Sequence, residues 1–297
     1  AEPLKFVEEG GCDIATADAL LRANGFKMGP FELIDLVGLD VNLSVSRSLW
    51  EAYYAEPRYR PSLLVEERVA AGRLGRKTSR GFYEYPSSPQ PLSGTLPKAE
   101  APRDVVAKGE LGPAKVLLEM ATTAGMHVVY DPGDGYVGLG ALHLSQSDGR
   151  MAAEHGKDCV LFDLSLDWAR TNLVALAASS GTDVAQAAAF FQALGKEVVQ
   201  VADLPGMLSA RTICMLINEA CDTLLRKIAT RDDVDTAMQK GLNFPGGPLQ
   251  WADRFGAEYC VRVLDNMARA YGEDRYRASV LLRRMALTGE KFYASAQ

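Results

Sequence analysis

The chain has little that would announce a chemistry of its own. Its five cysteines, Cys12, Cys159, Cys214, Cys221 and Cys260, are odd in number and show no Cys-x-x-Cys spacing. That pattern argues against a disulfide framework and a zinc site, and fits reduced thiols in a cytoplasmic protein. There are three histidines, His127, His143 and His155, in unlike contexts, each read as a surface or packing residue. No apolar run reaches the length of about 18 residues that a membrane span needs, so no membrane partner is expected. The first residues, AEPLKFVEEGG, have neither a basic start nor an apolar core and are no signal peptide. A basic surplus is missing too: 38 acidic against 32 basic residues give a net charge of −6. That disfavours a nucleic-acid partner.

What remains is an ordinary globular composition, 47% hydrophobic and 24% charged. At roughly 150 residues per domain the length predicts two domains or three small ones. Pro86–Pro102 holds five prolines with Ser and Gly between them, a linker or long surface connection. Before it the chain reads helical. After it, short apolar runs alternate with helical stretches up to residue 204, which predicts an α/β unit with a mostly parallel sheet. From Pro205 onward the pattern is nearly all helix, with the long Gly206–Ile228 stripe first.

The helical pattern is repeated. GFKMGPFELIDLVG (Gly25–Gly38) resembles NFPGGPLQWADRFG (Asn243–Gly256), with Pro30 on Pro248, an offset of 218. YYAEPRYRPSLL (Tyr53–Leu64) resembles AYGEDRYRASVL (Ala270–Leu281), and Asp18 matches Asp235 and Glu2 matches Glu219, all at 217. Matches this close to one offset indicate a duplicated helical unit with the α/β unit between the copies. Pro30 and Pro248 suit the first position of a helix, where a missing N–H costs nothing. Gly38 and Gly256 stand where a helix ends.

These residues carry a resemblance. MGPFELIDLVGLD (Met28–Asp40), PRYRPS (Pro57–Ser62) and GRLGRKTSRGFYEY (Gly72–Tyr85) resemble the C-terminal helical domain of 3-hydroxyacyl-CoA dehydrogenases. ALGKEVVQVADLPGMLSARTICMLINEA (Ala193–Ala220) is similar to the family's passage from nucleotide domain to helical domain. The match runs over essentially the whole chain and resembles the bacterial long, duplicated forms, of the 3-hydroxybutyryl-CoA or 3-hydroxyadipyl-CoA dehydrogenase kind. It implies a mainly α fold with a central α/β unit. The expected domains are a helical domain at 1–86, a Pro-rich linker at 87–102, a reduced Rossmann-like domain at 103–204 and a second helical domain at 205–297.

Family enzymes begin with a Rossmann domain whose Gly-x-Gly-x-x-Gly loop lets the backbone approach a diphosphate. No such domain precedes residue 1. The duplication sets the start of the first long helix about a dozen residues before Ala1. The expectation is a fragment of a longer parent, whether by truncation, proteolysis or an incomplete gene model. Within the α/β unit, Gly133-Asp134-Gly135-Tyr136-Val137-Gly138 fits the fingerprint, but as a lone match ahead of a strand it reads as an acidic turn. At the expected phosphate loop, Gly109–Ala114, Leu111 and Ala114 replace glycines and Glu110 would repel phosphate. Asp131 would be the ribose-binding acid of a working copy.

The family's histidine base should fall in Phe162–Trp168, which has none, and the family's asparagine falls on Ala210. No catalytic, cofactor-binding or metal-ligating residue is therefore assigned. The resemblance implies NAD and an acyl-CoA substrate for the parent, with fatty-acid, butanoate or aromatic-acid metabolism as the setting, but no cofactor bound to this chain. The first helical unit would close one wall of the acyl pocket with Met28, Gly29, Pro30 and Phe31. The two helical units would pair within the chain, with a homodimer as a further assembly. Arg73, Arg76, Lys77 and Arg80 read as a solvated loop anchored by Phe82 and Tyr83, or as a phosphate contact such as one to a CoA tail. The alternative is a non-catalytic assembly module derived from the family.

Overall fold

A computed structural model of the chain describes residues 1–86 and 90–293. The N-terminal segment forms α1 (Glu2–Glu8), α2 (Ile14–Ala23), α3 (Pro30–Val37), α4 (Leu39–Ala52) and α5 (Leu63–Ala70). Local chemistry sets these boundaries. Asp13 caps α2 by accepting from Thr16 N at 2.7 Å, and Ser62 caps α5 by accepting from Val65 N. Pro30 opens α3 and Gly38, at φ 102°, separates it from α4.

The middle segment contains β1 (Asp104–Lys108), α6 (Val116–Thr123), β2 (His127–Asp131), β3 (Tyr136–Leu139), β4 (Leu142–Gln146), α7 (Ala152–His155), β5 (Cys159–Phe162), β6 (Leu173–Ala178), α8 (Ala185–Ala193) and β7 (Glu197–Gln200). The strands make one sheet in the order β2-β1-β3-β4-β5-β6-β7. The expectation of a mostly parallel sheet is corrected. Pairs β1–β2, β4–β5 and β6–β7 are parallel, while β1–β3, β3–β4 and β5–β6 are antiparallel. A parallel pair needs a crossover, and Gly140-Ala141 between β3 and β4 leaves room only for a hairpin.

Part of the expected linker, 87–89, lies outside the described residues. Beyond it the chain is strapped to the sheet: Leu96 N donates to Val198 O at 3.0 Å and Gln200 N to Gly94 O at 2.7 Å. Ser93 N is held by Asp13 and Thr16, and Pro97 O by Gln192. The free edge of β7 has backbone groups to satisfy, and this segment satisfies them.

The C-terminal segment forms α9 (Ser209–Leu225), α10 (Arg231–Gly241), α11 (Pro248–Phe255), α12 (Ala257–Tyr271) and α13 (Val280–Thr288). It repeats the N-terminal one bond for bond. Asp18 accepts from Phe31 N, Glu32 N and Tyr83 Oη; Asp235 accepts from Leu249 N, Gln250 N and Tyr293 Oη. Asp35 accepts from Phe82 N and Tyr83 N, and Asp253 from Phe292 N and Tyr293 N. In both copies a buried carboxylate gathers the orphan N–H groups of a helix start.

The segments also touch through matched residues. Arg58 Nη1 donates to Glu219 and Asp222, both at 2.8 Å, while Arg275 donates to Glu2 at 2.7 Å. Tyr59 Oη bonds Glu219 and Tyr276 Oη bonds Glu2. Phe26 meets its counterpart Phe244 edge to face, ring centroids 5.1 Å apart.

Candidate functional site

A cleft of about 910 Å³ opens where the ends of β1 and β4 face the α11–α12 corner. Tyr136, His143, Ser145 and Gln146 line it from the sheet, and Phe255, Gly256, Tyr259 and Arg262 from the helices. Glu110–Pro113 close one end and Asp148, Arg150 and His155 the other. The cleft exists because α12 reaches the loop after β4 only at points. Tyr259 Oη donates to Ser147 O at 2.7 Å, and Asn266 Nδ2 to Asp148 O at 2.9 Å. Burial pushes the Tyr259 phenol well up, so it stays a neutral donor. Burial alone would also raise Asp148. The His155 imidazole, 3.3 Å away, and the hydrogen bonds from Arg150 (2.7 and 2.9 Å) outweigh it and hold the carboxyl well below the usual range.

The cleft's residues do not fit a dinucleotide. Glu110 and Asp134 place carboxylates where a diphosphate would lie. The turn at Gly133–Gly135 packs on the strand end, so that a Cβ on Gly109 would stand 2.0 Å from Gly133 O. Tyr136 after that turn starts β3, not a helix. Asp131 is bonded to Lys108 Nζ at 2.6 Å.

Asp163 directly follows β5. Its buried carboxylate accepts from Leu164 N (2.8 Å), Leu208 N (3.1 Å), Ser209 N (2.6 Å) and Ala210 N (2.9 Å). Burial drives its pKa upward, against these N–H donors. It caps α9 and thereby locks the sheet to the C-terminal helices. Sequence reasoning missed this role. The signal was an aspartate in an otherwise apolar run, Cys159–Leu164.

The three histidines are dispersed. His127 faces Asp104 at 3.1 Å with both side chains exposed, His143 stacks on Tyr136 at 4.3 Å, and His155 meets Asp148. Among the described residues no group of three or more His, Cys, Asp or Glu could hold a metal, and no helix is long and apolar enough to cross a membrane.

In the turn Met28–Phe31, Gly29 and Phe31 are buried, and Met28 and Pro30 half-buried. A Cβ on Gly29 would lie 2.2 Å from Asp18 Cγ, and the Phe31 ring packs on Phe82 at 4.8 Å. The counterpart turn, Gly246–Leu249, is not among the cleft's lining residues; the α11–α12 corner is. The matching corner, α3–α4, carries an apolar stripe at helical spacing. Leu33, Val37, Val41, Val45 and Leu49 are 41–54% exposed, whereas their counterparts Trp251, Phe255, Tyr259, Val263 and Met267 are at most 8% exposed. The basic loop borders this stripe: Lys77 Nζ bonds Asp40 at 2.5 Å and Leu39 N donates to Leu74 O. Arg76 lies over the Tyr85 ring and Arg80 pairs with Glu84.

Duplicated helical segments around a reduced sheet define the class of protein, and comparison with known proteins gives the family. The family model for the C-terminal domain of 3-hydroxyacyl-CoA dehydrogenase matches residues 1–85 and 206–297, and the model for the 3-hydroxybutyryl-CoA dehydrogenase reduced Rossmann-fold domain matches 144–205. The chain belongs to the 3-hydroxyacyl-CoA dehydrogenase family. It is 35% identical over 292 residues to a 3-hydroxyadipyl-CoA dehydrogenase of Escherichia coli (strain K12), spanning 97% of this chain and 57% of that one. A 3-hydroxybutyryl-CoA dehydrogenase of Bradyrhizobium diazoefficiens is 42% identical over 85 residues, 28% of this chain and 29% of that protein. The crystal structure of 3-hydroxybutyryl-CoA dehydrogenase from E. coli K12 superposes with a TM-score of 0.82 at 34% identity, over 97% of this chain and 57% of that one. The chain thus spans little more than half the length of the first of these relatives.

Proposed function

We propose that this chain is the C-terminal part of an NAD-dependent 3-hydroxyacyl-CoA dehydrogenase. Two C-terminal-like helical domains, 1–86 and 205–297, flank a reduced Rossmann-like domain, 103–204. The parent oxidises the C3 hydroxyl of a 3-hydroxyacyl-CoA to a ketone, hydride passing to NAD and the proton to a base. Dinucleotide site and base belong to a nucleotide-binding domain that docks on the α3–α4 corner. The observation that carries the reading is the exposed stripe Leu33–Leu49, whose counterparts on α11–α12 are buried in the C-terminal helical core with α9 and α13. An apolar face this continuous marks an interface. Part of the twin's cover is the loop after β4, where Tyr259 Oη donates to Ser147 O, which supports an α/β unit as the occupant.

The paired contacts of Arg58 and Arg275 support an intramolecular association of the two helical domains, with no second copy needed for that interface. The Met28–Phe31 turn stays next to the proposed acyl pocket as its inner support, behind the α3–α4 corner. One observation favours a non-catalytic assembly module instead: the stretch Phe162–Trp168, where the resemblance would put the base, has no histidine, and the family's asparagine falls on Ala210. The test is acetoacetyl-CoA reduction followed through NADH absorbance, in this chain alone and in the chain joined to the nucleotide-binding domain. Turnover is expected only in the joined protein. Its absence there would leave the assembly module as the reading.

A further inference from the structure

The two edges of the sheet are treated differently. The segment Gly94–Leu96 covers β7, whereas no strand lies beyond β2 among the described residues. In a doubly wound sheet the third strand lies outside the second. Here β3 turns back and pairs with β1 on its other side, so β2 is left at the edge. The bonds it makes show which of its groups face out. His127 N donates to Arg103 O at 2.8 Å, and Asp131 O accepts from Gly109 N at 2.9 Å. Peptide groups alternate in direction along a strand, so His127, Val129 and Asp131 bond toward β1. Val128 and Tyr130 point their N–H and C=O groups away from it. A five-residue edge with outward donors and acceptors and no proline is a template for a further strand. Its side chains are open as well, Val129 39% and Tyr130 67% exposed.

The order of residues along this edge, His-Val-Val-Tyr-Asp, complements itself when reversed. Laid antiparallel about Val129, His127 of one copy faces Asp131 of the other, and Val128 faces Tyr130. Val128 and Tyr130 then fall at hydrogen-bonded positions, where each pair exchanges both N–H···O bonds through the outward groups. Val129 falls on the two-fold axis at a non-hydrogen-bonded position, with His127 and Asp131 beside it on the same face. Asp104 lies 3.1 Å from His127, and Lys108 holds Asp131 at 2.6 Å. Acidic and basic side chains therefore alternate across the joint: Asp104, His127, then Asp131 and Lys108 of the other copy. We infer that β2 is an association edge for a second copy of this chain, joining two sheets antiparallel about a two-fold axis at Val129. The backbone groups accept any extended strand; the self-complementary order of side chains selects this one. The inference does not depend on the dehydrogenase reading.

The test is sedimentation of the chain over a concentration series reaching about 100 μM, since a joint this short makes a weak dimer. Dimer is expected to grow in with concentration. Tyr130→Pro removes an outward N–H and leaves the bonds to β1 in place, so it should abolish the dimer without lowering the melting temperature. Cysteine variants give a second measurement. Val129→Cys sets the new thiol opposite that of the other copy and should yield a disulfide-linked dimer with oxidised glutathione. Tyr130→Cys, opposite Val128, should link no more than the unsubstituted chain with its own five cysteines. If Tyr130→Pro lowers the melting temperature, the cysteine variants decide alone. A monomer at every concentration overturns the inference. So does a Val129→Cys variant that links no faster than Tyr130→Cys. A dimer that persists in folded Tyr130→Pro overturns it too and places the contact elsewhere, as on the Leu33–Leu49 stripe.

Discussion

Arg275 is bonded to Glu2 at 2.7 Å, both side chains nearly excluded from water, and this pair joins the two ends of the chain. The Glu2 carboxylate also accepts from Tyr276 Oη, and Arg275 donates to Pro57 O and Arg58 O. Such a pair is costly to break because the remaining charge stays buried. Arg275→Met is expected to destabilise by about 3–5 kcal/mol in urea denaturation. Adding Glu2→Gln should recover part of that loss. A double variant no better than Arg275→Met would show that Glu2 is not left uncompensated.

Asp163→Ala should cost about 3 kcal/mol, because several buried N–H groups at the start of α9 lose their acceptor together. Asp163→Asn keeps one acceptor oxygen and should fall between. Hydrogen exchange at Leu208, Ser209 and Ala210 reads the effect directly. Protection unchanged in Asp163→Ala would contradict the capping role.

Gly29 and Gly247 are matched, and a Cβ would stand 2.2 Å from Asp18 Cγ in one copy and 2.1 Å from Asp235 Cγ in the other. Each glycine lets its helix start close on its aspartate. Gly29→Ala and Gly247→Ala are expected to lower stability by about 1–3 kcal/mol apiece. Gly241→Ala, on the last residue of α10 with open space around it, should be neutral or slightly stabilising. Equal melting temperatures for all three would refute the close-approach argument.

The depressed pKa of Asp148 predicts an acid limb. A carboxyl held below its ordinary range in the folded state adds stability above its unfolded pKa and loses it as pH falls through the folded one. Asp148→Asn should therefore be less stable than the parent at neutral pH and lose less on acidification below about pH 4. Melting curves at pH 7 and pH 3 give the comparison. Parallel losses would rule Asp148 out as a contributor.

Calorimetric titration of this chain with NAD is expected to show no binding at sub-millimolar cofactor. Glu110, Asp134 and the packed Gly133–Gly135 turn oppose a diphosphate there. Saturable binding that disappears on changing Gly133 or Gly135 would show that the turn is a phosphate loop after all.

Most of the strands and helix starts were legible in sequence because they depend on neighbours a few residues away. Pro30, Asp13 and the glycine at 38 act within one turn of where they stand. The duplication was legible too, and with it the matched Asp18 and Asp235. Strand direction was not: alternating apolar runs look alike in parallel and antiparallel sheets, and half the pairs, two at β3 and one at β5–β6, turned over. Nor did the sequence reveal that Gly94–Leu96 would lie along β7, since Pro-rich composition says what a segment cannot do rather than what it will touch.

By itself the sequence determined the family and the repeated helical pattern. Tertiary structure decided which equivalent residues are buried and which exposed. Leu33 and Trp251 occupy the same place in the same motif, yet one is open and the other covered. Burial belongs to whatever packs on a helix from outside it. The long helix α9 packs on α11 and α12, while the matching face of α3 and α4 stays exposed among the described residues.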